Sequence, residues 1–117
     1  MATTQTAEEL NLGTGTIGLD PEGYLVDLND WTPEVAEALA GREGLVLTEE
    51  HWEILHVLRE FYGRYEQSPA MRPLVKAVGK ALGQDKASSI YLMRLFPGSP
   101  PKLGARLAGL PKPTNCL

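Results

Sequence analysis

Apolar residues recur at three- and four-residue steps from Thr48 to about Gln67: Trp52, Leu55, Leu58, Phe61, Tyr62 and Tyr65. That spacing puts them on one face of a helix, and such an aromatic stripe reads as a core face. Thr48 supplies the N-cap, and Glu49 and Glu50 suit the positive helix N-terminus. An earlier helix follows Thr32-Pro33, a cap and a proline at the first helical position; Val35, Ala38 and Leu39 line one side, and Gly41 or Gly44 stops it. Leu74, Val75, Val78 and Leu82 predict a third helix, from about Arg72 to the stop at Gly83. Asp85 predicts the cap of a fourth helix over 86–96, with Ile90, Leu92, Met93, Leu95 and Phe96 apolar. After the connector Pro97, Gly98, Pro100 and Pro101, a short fifth helix over about 101–108 turns Leu103 and Leu107 inward, with Gly109 as its stop.

Ahead of the helices the pattern changes. Asp20-Pro21-Glu22-Gly23 carries the residue types of a β-turn, and its flanks, 16–19 and 24–27, are short enough to pair as a hairpin. Residues 1–15, rich in Thr, Gly and Glu, read as a loose tail. The expectation is an α+β fold: a small N-terminal β hairpin or meander on about five helices, one domain over 16–110, and a flexible C-terminal arm over 111–117. At 117 residues with 43% hydrophobic and 22% charged content, the chain fits one modest core. No apolar run is long enough to span a bilayer, and MATTQTAEEL lacks the features of a secretory signal. With a single cysteine no internal disulfide is available, so a cytoplasmic location is expected.

Charge is polarised along the chain. The net charge is −4, yet residues 1–68 hold 14 acids and 3 bases, whereas 69–117 hold 1 acid and 8 bases. The basic half can face its own acidic half, an acidic partner, or RNA. Arg72, Lys76 and Lys80, four residues apart, form one basic ridge, and Arg94, Lys102, Arg106 and Lys112 follow it. These are candidates for a groove that docks the arm or a partner; solvated helix surface is the competing reading. His51 and His56 are five apart and do not share a helix face well enough to chelate a metal.

The arm is the chemical feature. Pro111 and Pro113 favour extended backbone, and residues 111–117 span roughly 23 Å when stretched. Gly109 offers a pivot. Cys116, the sole thiol, sits near the tip. An exposed cysteine is a liability in a soluble protein, which points to use rather than accident. The neighbouring α-carboxylate of Leu117 disfavours the thiolate, Lys112 partly offsets it, and a basic groove is expected to prime it.

The segments DPEGYL (20–25), NDW (29–31), LTEEHWEIL (47–55), SPAMRPLVKAVGKALG (68–83), YLMRLFPGSP (91–100) and AGLPKPTNC (108–116) resemble the TusE/DsrC family of sulfur carriers. The terminal run G-L-P-K-P-x-x-C is the most specific of them. The resemblance implies a C-terminal cysteine, here Cys116, that carries sulfur as a persulfide, with no bound cofactor. Family members that serve sulfite reductase have a second cysteine eleven positions earlier; here that position is Ala105. The single-thiol pattern is similar to the TusE branch. That branch implies sulfur received from a TusBCD-like donor complex and passed to a tRNA 2-thiouridylase for wobble-uridine 2-thiolation, with tRNA met indirectly. The sequence encodes no coiled coil or symmetric patch, so a monomer that joins hetero-complexes is expected. The alternative is a DsrC-like sulfur-oxidation or regulatory protein that binds protein or nucleic acid without serving tRNA thiolation.

Overall fold

The computed structural model describes residues 7–114. Two strands, β1 (Glu8–Asn11) and β2 (Thr16–Leu19), precede five helices: α1 (Pro33–Arg42), α2 (Glu49–Tyr65), α3 (Met71–Leu82), α4 (Ser89–Leu95) and α5 (Pro100–Leu107). The α+β reading therefore holds, with a hairpin and five helices. No helix among the described residues is long and apolar enough to cross a membrane.

The hairpin uses a different partner from the one expected. β2 pairs antiparallel with β1, in the register Glu8↔Leu19 to Asn11↔Thr16. The segment after the Asp20 turn meets β2 through one isolated bridge, Leu19↔Leu25. Residues 8–11, read from sequence as tail, form a strand because Leu10 points into the core and Asn11 closes the turn by accepting from the Gly13 amide (2.8 Å). The Asp20 turn is present as well: its Oδ1 accepts from the Glu22 and Tyr24 amides (2.8 and 2.9 Å).

α1 starts as its sequence dictates, with Thr32 Oγ1 accepting from the Val35 amide (3.2 Å). α2 has a capping box in which His51 stands where glutamate is usual. The Thr48 amide donates to His51 Nδ1 (3.0 Å), so Nε2 carries the proton and donates to the Leu95 carbonyl (2.8 Å). The ring also sits edge-on to Phe96, 5.2 Å between centroids. One buried histidine thus ties the start of α2 to the end of α4. His51→Ala is expected to destabilise the protein by about 2 kcal/mol, combining a lost cap, an unpaired carbonyl and a small cavity. Thermal or urea unfolding measures it.

α4 is shorter than expected. Gln84–Lys86 form a 3-10 turn, and Ser88 rather than Asp85 caps the helix, accepting from the Tyr91 amide (3.1 Å). Ala87, at φ −92° and ψ 61°, interrupts the helical path. Leu92 and Phe96 point inward; Ile90 and Met93, expected on the apolar face, are exposed.

α5 is the centre of the molecule and packs against α1, α2, α3 and α4. Pro100, Pro101, Leu103, Gly104, Ala105 and Leu107 are all buried. Gly104 lets α2 approach, because a β-carbon there would lie 2.9 Å from Leu58 Cδ1. Around α5 sit Val35, Ile54, Leu55, Leu58, Leu74, Val78, Leu92 and Phe96, all fully buried. Each such aliphatic side chain contributes about 1.5–3 kcal/mol of burial free energy. The core face of α2 is Ile54, Leu55, Val57 and Leu58; the aromatic stripe read from the sequence drifts off it, and Tyr65 is 56% exposed.

Candidate functional site

α5 delivers the chain to the C-terminal arm through a tightly held corner. The Leu110 amide donates to the Ala105 carbonyl (2.9 Å) and the Gly109 amide to the Arg106 carbonyl (3.3 Å), the two bonds of a Schellman motif. Gly109 takes φ +73°, as the motif requires.

Two side chains from distant elements cover this corner. Trp31 Nε1 donates to the Leu107 carbonyl (2.9 Å), and Arg59 Nη1 donates to the Ala108 carbonyl (2.6 Å). The Arg59 guanidinium also lies 3.9 Å from the centroid of the Trp31 ring. The cation therefore meets the negative end of α5 and an aromatic face at once. Partial burial lowers the Arg59 pKa from its ordinary value. The Trp31 ring presses on Gly109 so closely that a β-carbon there would fall 2.3 Å from Trp31 Cδ1.

The next residues are tied down as well. Ser68 Oγ donates to the Pro111 carbonyl (2.5 Å), Pro113 is buried, and Lys112 Nζ pairs with Glu22 at 2.8 Å. Gly109 is therefore a clamped corner rather than the pivot suggested by sequence. Cys116, two residues past Thr114, lies outside the described residues.

Lys112 holds the Glu22 carboxyl below its ordinary value of 4.5, mainly by hydrogen bonding, with Lys102 and Arg106 adding to the effect. A depressed carboxyl stabilises above its unfolded pKa and loses that contribution as pH falls through the folded one. The Glu22–Lys112 tie is thus complete at neutral pH and released only below 4.5. An NMR titration of the Glu22 carboxyl is expected to show a midpoint below the ordinary 4.5 that Lys112→Gln moves upward.

The seven basic residues singled out from sequence do not build one groove. Lys102, Arg106 and Lys112 gather near the arm's base. The Lys102 carbonyl accepts from the Tyr24 hydroxyl (3.3 Å), and Arg106 pairs with Glu43 (2.8 Å) while its guanidinium lies 5.3 Å from the Tyr24 ring centroid. Burial raises the Tyr24 pKa, with Arg106 opposing. Arg72, Lys76 and Lys80 are exposed on α3, and Arg94 is exposed on α4. Three of the four ion pairs among the described residues, Lys86–Glu53, Arg106–Glu43 and Lys112–Glu22, join a base of the second half to an acid of the first. The polarised charge is thus partly neutralised within the fold.

Sequence reasoning missed Trp31, Arg59, Ser68 and Glu22 as supports of the arm. Arg59 carried a signal: the residues three and four away on its helix are Leu55, His56, Tyr62 and Gly63, none of them a carboxylate. A helical arginine without such a partner is free to reach for a carbonyl.

A family model described as DsrC like protein matches residues 11–117. The Sulfurtransferase TusE of Sodalis glossinidius (strain morsitans) is 50% identical over 101 residues, which is 86% of this chain and 94% of that protein. The fold is similar to the NMR structure of Allochromatium vinosum DsrC, with a TM-score of 0.81, 50% identity and full coverage of both chains. It is also similar to the crystal structure of the oxidized gamma-subunit of dissimilatory sulfite reductase (DsrC) from Archaeoglobus fulgidus. There the TM-score is 0.82 and the identity 41%, over 94% of this chain and all of that one.

Proposed function

Because the chain belongs to the DsrC-like family, we propose that it is a sulfurtransferase of the carrier type, accepting sulfur on Cys116 and handing it on. The observation that carries this reading is a sole thiol placed three residues beyond a segment, ending at the buried Pro113, that Trp31, Arg59, Ser68 and Glu22 tie to the body. Three residues past Pro113 span at most roughly 11 Å. The fixed base therefore narrows the volume the thiol searches, which lowers the entropy cost of presenting it to a partner.

The transfer is an exchange without net redox change. The Cys116 thiolate attacks the outer sulfur of a donor persulfide; a new S–S bond forms at Cys116, and the donor's S–S bond breaks as its thiolate leaves. In the second step an acceptor thiolate attacks the outer sulfur of the Cys116 persulfide, and the Cys116 thiolate is the leaving group. The cargo sulfur is substrate, and no resident cofactor takes part.

Ala105 favours single-thiol relay. It is fully buried in α5, and no other cysteine exists in the chain to close a disulfide with Cys116. On this basis the donor is a TusBCD-like complex, the acceptor a tRNA 2-thiouridylase, and the product pathway wobble-uridine 2-thiolation, in the cytoplasm. The second reading, delivery to a sulfur-oxidation enzyme, draws on the 50% identity to Allochromatium vinosum DsrC, which equals that to the TusE relative.

Intact-mass analysis after exposure to a persulfide donor tests the carrier role: a gain of one sulfur on Cys116, removed by reductant, is expected. Mixing the loaded protein with a tRNA 2-thiouridylase and tRNA then tests the acceptor by the appearance of 2-thiouridine. No gain at Cys116 overturns the relay. A gain without 2-thiouridine overturns the tRNA branch alone.

A further inference from the structure

α2 and α3 enclose an open groove of about 600 Å³ that the relay chemistry does not use. Val57, Phe61, Ala77 and Ala81 line its apolar part, and Arg64, Lys76 and Lys80 bring three cations to it. We propose that this groove docks an acidic, amphipathic helix of a partner protein.

Charge is the first support. Arg42, Lys86, Arg106 and Lys112 each pair with a carboxylate. Arg64, Lys76 and Lys80 make no ion pair among the described residues, although the chain has more acids than bases. Glu60 is the one acid lining the groove. A cleft lined by three cations and one acid, with an apolar floor, carries a net positive charge and attracts an anionic partner.

Shape is the second support. Ala77 and Ala81 are one turn apart on α3, so small side chains leave a trough into which the ridge of another helix fits. Lys76 and Lys80 are also one turn apart, about 6 Å along the axis, and match carboxylates repeated at one-turn spacing on the incoming helix. Phe61 and Tyr65, with ring centroids 4.6 Å apart, present aromatic surface to its apolar side. A nucleic-acid strand fits less well: it would bring phosphate next to Glu60 and leave the floor of Val57, Ala77 and Ala81 without a matching group.

The test uses the full chain and a fluorescein-labelled synthetic helix with Leu and Phe on one face and Glu at one-turn spacing on the other. Its counterparts are the same helix with Lys for Glu and a single-stranded oligonucleotide. The probe has no thiol, so the outcome is independent of sulfur transfer. The acidic helix is expected to bind, to shift the NMR signals of Phe61, Ala77 and Ala81, and to lose affinity in salt. Lys76→Glu with Lys80→Glu should weaken it roughly tenfold or more. The Lys-bearing helix should then bind the charge-reversed protein better than the parent. Both side chains are exposed, and an unchanged melting temperature verifies the fold of the variant. Absence of binding, shifts confined to another face, insensitivity to the charge reversal, or displacement of the helix by the oligonucleotide overturns the proposal.

Discussion

A Cys116→Ser protein is expected to fold and melt like the parent and to carry no transferable sulfur. A cysteine-to-serine exchange replaces a single atom, and the hydrophobic core of the described residues runs from Leu10 to Leu110, so stability is expected to change little. The chemistry is different in kind. Sulfur exchange begins with a thiolate, and a serine hydroxyl supplies none near neutral pH. No second cysteine is present to take over, so the loss should be complete rather than partial. Matched thermal melts and labelled-sulfur transfer from a persulfide donor check both halves of the prediction. Residual loading in the serine protein, or a large drop in melting temperature, would contradict it.

Gly109→Ala should have the largest effect on stability. At φ +73° an alanine meets the left-handed penalty, about 1–2 kcal/mol. Its β-carbon would also fall 2.3, 2.5 and 2.7 Å from three atoms of Trp31. The indole must move, and it then gives up the bond to the Leu107 carbonyl and the stacking of Arg59. The sum is about 3 kcal/mol, or a fall in melting temperature of roughly 10 °C for a chain of this size. Because the corner also aims the arm, sulfur handover to a protein acceptor should slow even at temperatures where the variant is folded. Loading by a small, freely diffusing donor should be much less affected, because it makes no demand on direction. Equal slowing of the handover and of the loading would indicate that Gly109 serves the fold alone.

The helices were legible because their determinants are local. Thr32-Pro33 and the apolar spacing of α1, α2 and α3 announce themselves within a few residues. The errors fell where a longer-range contact decided the matter. Leu10 forms a strand because β2 is there to pair with it, and short-range composition makes the same residues look like tail. Asp85 is a sound cap in isolation, but Ser88 occupies the position from which Leu92 and Phe96 reach the core. The sole thiol and the proline-spaced arm were visible directly. The clamp was not, because Trp31 and Arg59 reach backbone carbonyls 76 and 49 residues away. A side chain that recognises main chain leaves no complementary side chain in the sequence to betray it.

The central place of α5 also bears on how the molecule is made. It is the last of the described helices to leave the ribosome, yet α1, α2, α3 and α4 all rest against it. During synthesis, which runs from the N-terminus, the earlier helices must wait with their oily faces uncovered until 100–107 emerges. A chain stopped before α5 leaves those faces uncovered and is expected to aggregate rather than fold.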